Sequence, residues 1–377
     1  MQGPEPAVAK PRGRGPRGFL GMIALILAVE AAIAGHRLEF LDPVSVTWAL
    51  SDRAAGREAL ESPVLCFGDS LLKFGFRPGV VEARAGRKAF NLAVVAGRAP
   101  SSFFLLRRAL DAGARPSAVL IDFEPNILAQ SPVLNHELWA ELIGPRDIVE
   151  LARDARDPVF LGRTLLVRSL PSVRYRLQLR GAVLAMLGGQ SVARPDVAAS
   201  LDRYDQQYRG AQVMPHADRA LVPADARNLA FFPPWWGCDP VNRRYVKKFF
   251  ELASSRGIPV FWVIPPYAPP IQALREQLGQ DAKITHFAES IRSRYPGVTV
   301  LDGRRSGFDH SEFWDGTVHL DDQGALALTA GVADVLVRSF SGEKLPAWVA
   351  LPAWRARALG DPTPAGVAAR GSGAQTR

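Results

Sequence analysis

Residues 63–70 read Pro-Val-Leu-Cys-Phe-Gly-Asp-Ser. Pro63–Phe67 is an apolar run of strand length without alternation, the pattern of a strand buried on both faces. Gly68 permits a sharp turn, and a helix beginning near Ser70 would present that side chain and its backbone N–H at the helix start. Comparable runs follow at Lys88–Ala93, Ala118–Phe123, Pro259–Ile264 and Val298–Leu301. Helical stretches separate them. Ser70–Val81 reads as a turn and helix, and Ser101–Ala112 places Phe103, Leu106 and Leu110 on one face. Val241–Arg256 is closed by Gly257, and Ile284–Arg294 and Asp322–Phe340 complete the series. Apolar strands alternating with helices predict an α/β fold, a five-stranded parallel sheet covered on both faces. Ligands of such sheets bind beyond the carboxyl ends of the strands, so whatever follows each strand matters most.

Around this core the chain divides further. Residues 1–17 form a basic, Pro/Gly-rich tail, 18–35 an apolar segment and 36–61 a short, partly helical stem. The main domain is expected over 62–340, with a helical and irregular insertion at about 131–240 that ends in FFPPWWGCDP. Residues 341–377 read as a C-terminal tail, partly disordered, and no internal repeat is present. Gly18–Ala34 (GFLGMIALILAVEAAIA) would reach about 26 Å as a helix, a little short of a hydrocarbon core of about 30 Å. It carries Glu30 near its end. It reads as a signal anchor with the basic tail inside and the main domain extracytoplasmic, a single pass through a bacterial membrane. The alternative is a cleaved signal peptide, since Ala32-Ile33-Ala34 fits the A-x-A pattern, or an ordinary buried helix.

Composition excludes several classes. With 47% hydrophobic and 22% charged residues the chain is neither disordered nor a polytopic membrane protein. Its net charge of +9 does not point to nucleic acid. Lys10, Arg12, Arg14 and Arg17 against Glu5 give the N-terminal tail +3. The residues after 340 contribute another +3, so the large middle carries only +3. Zinc-finger, RNP and GKS/T motifs are absent, no cofactor motif occurs, and the histidines and cysteines lack metal-ligand spacing. Cys66 lies inside an apolar run and reads as a buried small hydrophobe.

The chemistry-bearing residues sit at the predicted strand ends. Gly68-Asp69-Ser70 could position a serine nucleophile, although a helix cap explains the tripeptide equally well. A serine needs a base, and the base a carboxylate. Trp314-Asp315-Gly316-Thr317-Val318-His319-Leu320 offers both on one loop before the final helix. Of the other histidines, His36 lies at the apolar segment's edge, His136 and His216 in the insertion and His286 on a helix. His310, after Asp309, is the rival base.

A strand ending in GDS and an Asp/His loop before the last helix resemble the SGNH (GDSL-like) hydrolase superfamily. The resemblance spans roughly Ser62–Phe340, with the insertion unmatched. It implies a flavodoxin-like three-layer sandwich, Ser70 as nucleophile, His319 as base and Asp315 as its orienting acid. It also extends to exported, membrane-anchored bacterial relatives that acetylate or deacetylate cell-surface polysaccharides. The implied oxyanion hole comprises the Ser70 N–H, Gly97 after the second strand and Asn126 after the third. Two positions depart from the pattern. Glu124 stands where the family has the glycine of Gly-x-Asn, and Asp315 precedes His319 by four residues where the family has three. The expected partner is an acylated small molecule or glycan, the acceptor being water for an esterase or a sugar hydroxyl for an O-acyltransferase. A rival reading is a silent fold serving as an envelope binding or assembly protein. That reading would be favoured by a Ser70 hydroxyl more than about 4–5 Å from His319.

Three further features have ordinary readings. Ser70-Leu71-Leu72-Lys73 is formally S-x-x-K, but K-T-G and S-D-N are absent, leaving Lys73 as a solvent- or substrate-facing residue. Trp235-Trp236 reads as packing between insertion and core, with a sugar or acyl platform as the alternative. Arg163, Arg168, Arg174, Arg176 and Arg180 read as a solvated helix face, or one turned to anionic polymer or lipid headgroups.

Overall fold

The computed structural model of the chain describes residues 17–35, 42–189, 203, 205–216 and 236–353. Strand β1 (Val64–Phe67) is buried along its whole length. Leu65 and Phe67 enter one apolar core and Val64 and Cys66 the other. A strand apolar on both faces must be covered twice, and each strand beside it has the same need. These are β2 (Ala89–Asn91), β3 (Ala118–Ile121), β4 (Val260–Ile264), β5 (Val298–Asp302) and β6 (Trp348–Ala350). They form one parallel sheet in the order β2-β1-β3-β4-β5-β6, with Leu65 opposite Phe90 on one side and Val119 on the other.

One face is covered by α2 (Pro43–Ala55), α5 (Ala99–Asp111), α12 (Pro240–Ser255) and α14 (Gln280–Arg292). They bring Trp48, Phe104, Phe249 and Phe287 into that core. The other face is covered by α3 (Ser70–Gly75), α4 (Pro78–Ala85), α13 (Pro269–Gln277) and α15 (Asp322–Phe340). They contribute Leu71, Val81, Ile271 and Leu328. The result is a three-layer α/β fold.

Three expectations change. The sheet has six strands, not five, and β6 comes from the segment read as a loose tail. The helix expected over 70–81 is two helices, because Pro78 disfavours helical backbone at the residue before it and Arg77 is extended (φ −109°, ψ 98°). In the expected stem, α2 is a core helix. The Trp48 indole N–H donates to Val95 O (2.8 Å), and the Val95 N–H donates to the Thr47 hydroxyl (3.1 Å). α2 therefore braces the loop that follows β2.

Between β3 and α12 the described residues form α6 (Pro125–Ala129), α7 (His136–Leu142), α8 (Pro145–Ala155), α9 (Pro158–Ser169), α10 (Pro171–Arg174) and α11 (Arg176–Leu187). At the N-terminus α1 (Arg17–Gly35) contains an 18-residue window, Gly18–Gly35, long and apolar enough to cross a membrane, and no residue of that window is buried. The tail before residue 17, His36, Trp235 and the chain beyond 353 lie outside the described residues.

Candidate active site

The turn after β1 is built around Gly68. Its φ is +133°, and a Cβ there would lie 1.4 Å from Asp122 Oδ1, so the position takes only glycine. The space is filled by the Asp122 carboxylate, which accepts the Asp69 N–H (2.9 Å). Asp69 in turn caps α3, accepting the Leu71 N–H at 2.7 Å, and its other oxygen accepts the Glu124 N–H at 3.3 Å. Ser70 is thereby fixed as the first residue of α3. Among the described residues its N–H has no hydrogen-bond partner, as expected at the start of a helix.

The opposite wall is the loop between β5 and α15. Gly316 (φ +70°) turns the chain, and one oxygen of Asp315 accepts the N–H groups of Thr317 (2.9 Å), Val318 (3.0 Å) and His319 (3.2 Å). The Trp314 N–H closes the loop on His319 O at 3.0 Å. This capped turn absorbs the four-residue spacing. The second Asp315 oxygen meets His319 Nδ1 at 2.6 Å, and His319 Nε2 meets Ser70 Oγ at 2.8 Å. With Nδ1–H donated to the carboxylate, Nε2 accepts from the serine hydroxyl. Trp314 stacks on the imidazole (5.7 Å, 21°) and Phe74 meets it edge-on (5.2 Å, 71°), so the ring is held on three sides. The structure thus brings Ser70, His319 and Asp315 into one hydrogen-bonded line. His310 lies in a separate 3-10 turn, His310–Glu312.

The remaining expected positions are placed differently. Gly97 does not offer a free N–H, which is donated to Val94 O at 2.9 Å. Its lack of a side chain serves close packing, since a Cβ would lie 2.5 Å from Gly68 O. One residue earlier, Ala96 holds φ +57°, and its N–H has no partner among the described residues. Asn126 is the second residue of α6, half-buried, with no hydrogen bond to its side chain among the described residues. Glu124 caps that helix through the Ile127 N–H (2.7 Å), which gives its carboxylate a structural role. Lys73 is not solvent-facing: it is buried, and burial lowers its pKa. Trp236 packs as expected, donating to Pro125 O at 2.6 Å with its ring 5.7 Å from Phe287. Both cysteines are free and buried.

Sequence reasoning missed the carboxyl group beneath the turn that carries Ser70. Asp122 looked like a strand end, yet it holds the Asp69 N–H. Burial pushes its pKa up to about 7, against the pull of its hydrogen bonds from Asp69. Burial, then the Asp122 charge, raises Asp69 well above the usual carboxylate range. Burial and Asp69 likewise push Glu124 up to about 7. Asp315 moves the other way. Burial would raise it, but the hydrogen bond and charge of His319, with the loop N–H groups, bring it down to about 2.

These shifts set the direction of a pH effect. The folded pKa of Asp122 lies above its unfolded value of about 4, so its protonated form favours the fold below that pH. That contribution is lost as pH rises towards about 7. Asp315, with its folded pKa depressed, contributes above about pH 4 and stays ionised throughout that range. Thermal melts of the wild type are therefore expected at lower temperature at pH 8 than at pH 5. Asp122→Asn keeps an oxygen for the Asp69 N–H but cannot ionise, and should shrink that difference. An unchanged difference would count against Asp122 as a source of the loss.

Comparison with protein-family models and with curated proteins finds no match.

Proposed function

We propose that the chain is a serine acyl-transfer enzyme of the SGNH hydrolase type, acting on an ester of a cell-surface glycan outside the cytoplasmic membrane. One observation carries this reading: the line from Asp315 through His319 to the Ser70 hydroxyl, with contacts of 2.6 and 2.8 Å. The flavodoxin-like strand order 2-1-3-4-5 over the first five strands supports the superfamily resemblance. The nucleophile follows β1, at the carboxyl end of the sheet, where such sheets bind ligands.

The chemistry follows from the geometry. His319 Nε2 takes the Ser70 proton as Oγ adds to the ester carbonyl carbon. Asp315 keeps Nδ1 protonated and stabilises the imidazolium. The carbonyl oxygen, now anionic, is assigned to the Ser70 N–H at the start of α3, which has no partner among the described residues; the Ala96 N–H and the Asn126 amide are proposed as further donors. The imidazolium returns its proton to the leaving alcohol, and the C–O bond breaks to leave an acyl-serine. Water, or a sugar hydroxyl, then gives its proton to His319 and attacks the acyl carbon. As the bond from the acyl carbon to Oγ breaks, His319 returns that proton to Oγ, giving the acid, or the transferred ester, and free Ser70. The silent-fold alternative is disfavoured by the 2.8 Å contact, well within reach for proton transfer.

In this reading α1 is a signal anchor and the remaining domain is extracytoplasmic. A mature protein beginning at Gly35 would overturn the anchor in favour of a cleaved signal. The enzymatic test is hydrolysis of p-nitrophenyl acetate and labelling by a fluorophosphonate, compared between wild type and Ser70→Ala. Equal signals from the two would end the proposal. Asp315→Asn preserves an oxygen for the three loop N–H groups but presents the wrong partner to Nδ1. It is expected to lower kcat roughly 10³–10⁴-fold at neutral pH with an unchanged fold. A loss below about tenfold would mean that Asp315 does not set the tautomer.

A further inference from the structure

A helix in a water-soluble domain hides its apolar side. Arg176–Leu187 (RLQLRGAVLAML) buries none of it: no residue of α11 is buried and only Leu179, Ala182 and Ala185 are partly covered, although two-thirds of its residues are apolar. Leu177 is 67% exposed, Met186 58% and Leu187 80%. Apolar residues in the second half, Ala182–Leu187, surround the helix on all sides, the pattern of a helix whose surroundings are themselves apolar. The first half carries Arg176 and Arg180 on one side, four residues apart. From Pro158 to Gly189 there are five arginines and no acidic residue, so the segment itself carries one sign of charge, with Arg174 paired to Glu141 of α7.

Position adds an independent argument. α11 continues directly from α10, and α10 is docked on α1. The Glu30 carboxylate of α1 accepts the Ser172 N–H at 2.9 Å and the Ser172 hydroxyl. Glu30 lies five residues before the end of α1 at Gly35, about 7–8 Å along the axis. If α1 crosses the bilayer, that is about 7–8 Å inside the hydrocarbon edge, the depth to which interfacial helices sink their apolar face. α11 therefore starts in the boundary region of the membrane. With 12 residues, about 18 Å, it is too short to cross.

We propose that Arg176–Leu187 is an interfacial helix, lying in the headgroup region of the bilayer that α1 crosses. Its apolar C-terminal half enters the acyl boundary, and Arg176 and Arg180 sit among anionic headgroups. The proposal rests on α1 being a membrane anchor. It gives the enzyme two membrane contacts rather than a tether alone, so the domain is held in a fixed attitude to the bilayer. Glu30 also acquires a reason: it joins the anchor to the interfacial segment.

The test uses the full chain in phosphatidylcholine–phosphatidylglycerol vesicles, with a polarity-sensitive fluorophore on single introduced cysteines, Cys66 and Cys238 being buried. Leu184→Cys, Leu187→Cys, Leu25→Cys in α1 and Lys344→Cys as a distant control are compared. Blue-shifted emission and quenching by shallow spin-labelled lipid are expected at 184 and 187, and iodide quenching without lipid quenching at 344. The double change Arg176→Glu and Arg180→Glu should weaken lipid quenching at 184 when phosphatidylglycerol is present. Lipid quenching at 25 but not at 184 or 187 overturns the interfacial helix and leaves the anchor standing. Failure at 25 as well overturns both. Shielding of 184 from iodide without lipid quenching overturns the proposal in favour of cover by protein, such as a second copy, or by an anionic polymer.

Discussion

Ser70→Ala is expected to lower kcat for ester hydrolysis roughly 10⁴–10⁶-fold and to abolish fluorophosphonate labelling. Stability should change by no more than about 0.5 kcal/mol, because the hydroxyl lost is half-buried and its one hydrogen bond among the described residues is to His319. The size of the effect follows from the removal of the atom that, in the proposed mechanism, forms the acyl bond. The residual rate should come from His319 activating water and from donors at the start of α3, which are unaffected. His319→Ala should cost about as much, since a serine without its base stays protonated. The double variant should be little worse than either single one, because the two groups act as a unit. Multiplying losses in the double variant, or a Ser70→Ala enzyme with more than about a tenth of wild-type activity, would show that the hydrogen-bonded line is not the reacting machinery.

The first five strands were legible because the sheet is covered twice. A strand with one wet face alternates, whereas Val64–Phe67, Ala118–Ile121 and Val260–Ile264 are apolar without interruption. β6 was not legible. The other edge strand, β2, is as short but buried throughout, whereas only Val349 of β6 is buried and its three residues carry no periodicity. The stem hid a core helix for a different reason. What makes Pro43–Ala55 part of the core is Trp48 reaching Val95, a contact across 47 residues that no local pattern records. The site divides along the same line. Ser70 and His319 were found because each follows a readable strand, and Asp315 because it shares a loop with His319. Lys73 was misjudged, because one turn of helix after a turn gives no hint that insertion residues close over it; its carbonyl accepts the Gln212 N–H at 2.9 Å. The family resemblance implied a donor role for Gly97, but whether its N–H is free depends on the turn it closes with Val94. The buried carboxyl Asp122 could be found only by knowing that β1 and β3 are neighbours.

Gly68→Ala is expected to be the most damaging single-methyl change in the domain, destabilising it by about 4 kcal/mol or more. Two costs add. The φ of +133° is one that an alanine adopts only with strain, and the new methyl would fall 1.4 Å from Asp122 Oδ1 and 2.7 Å from its Cγ. The carboxylate must move, and the Asp69 N–H that it accepts is then left buried without its partner. Because Asp69 caps the helix that starts with Ser70, a shift of about 1 Å here should cost a further factor of about 10² in kcat in whatever fraction folds. Gly79→Ala supplies the contrast. Gly79 sits in α4 with ordinary helical backbone and nothing within 4 Å of a Cβ, so the same change should be neutral or stabilising by about 0.5 kcal/mol. Urea melts of the two variants would measure both. Adding Asp122→Ala to Gly68→Ala removes the collision but neither relaxes φ nor restores an acceptor for Asp69, so it should recover only part of the loss. Full recovery would mean that the collision alone, and not the left-handed turn, dictates glycine. Wild-type stability in Gly68→Ala itself would mean that the turn presenting Ser70 is not built on Gly68 and Asp122 at all.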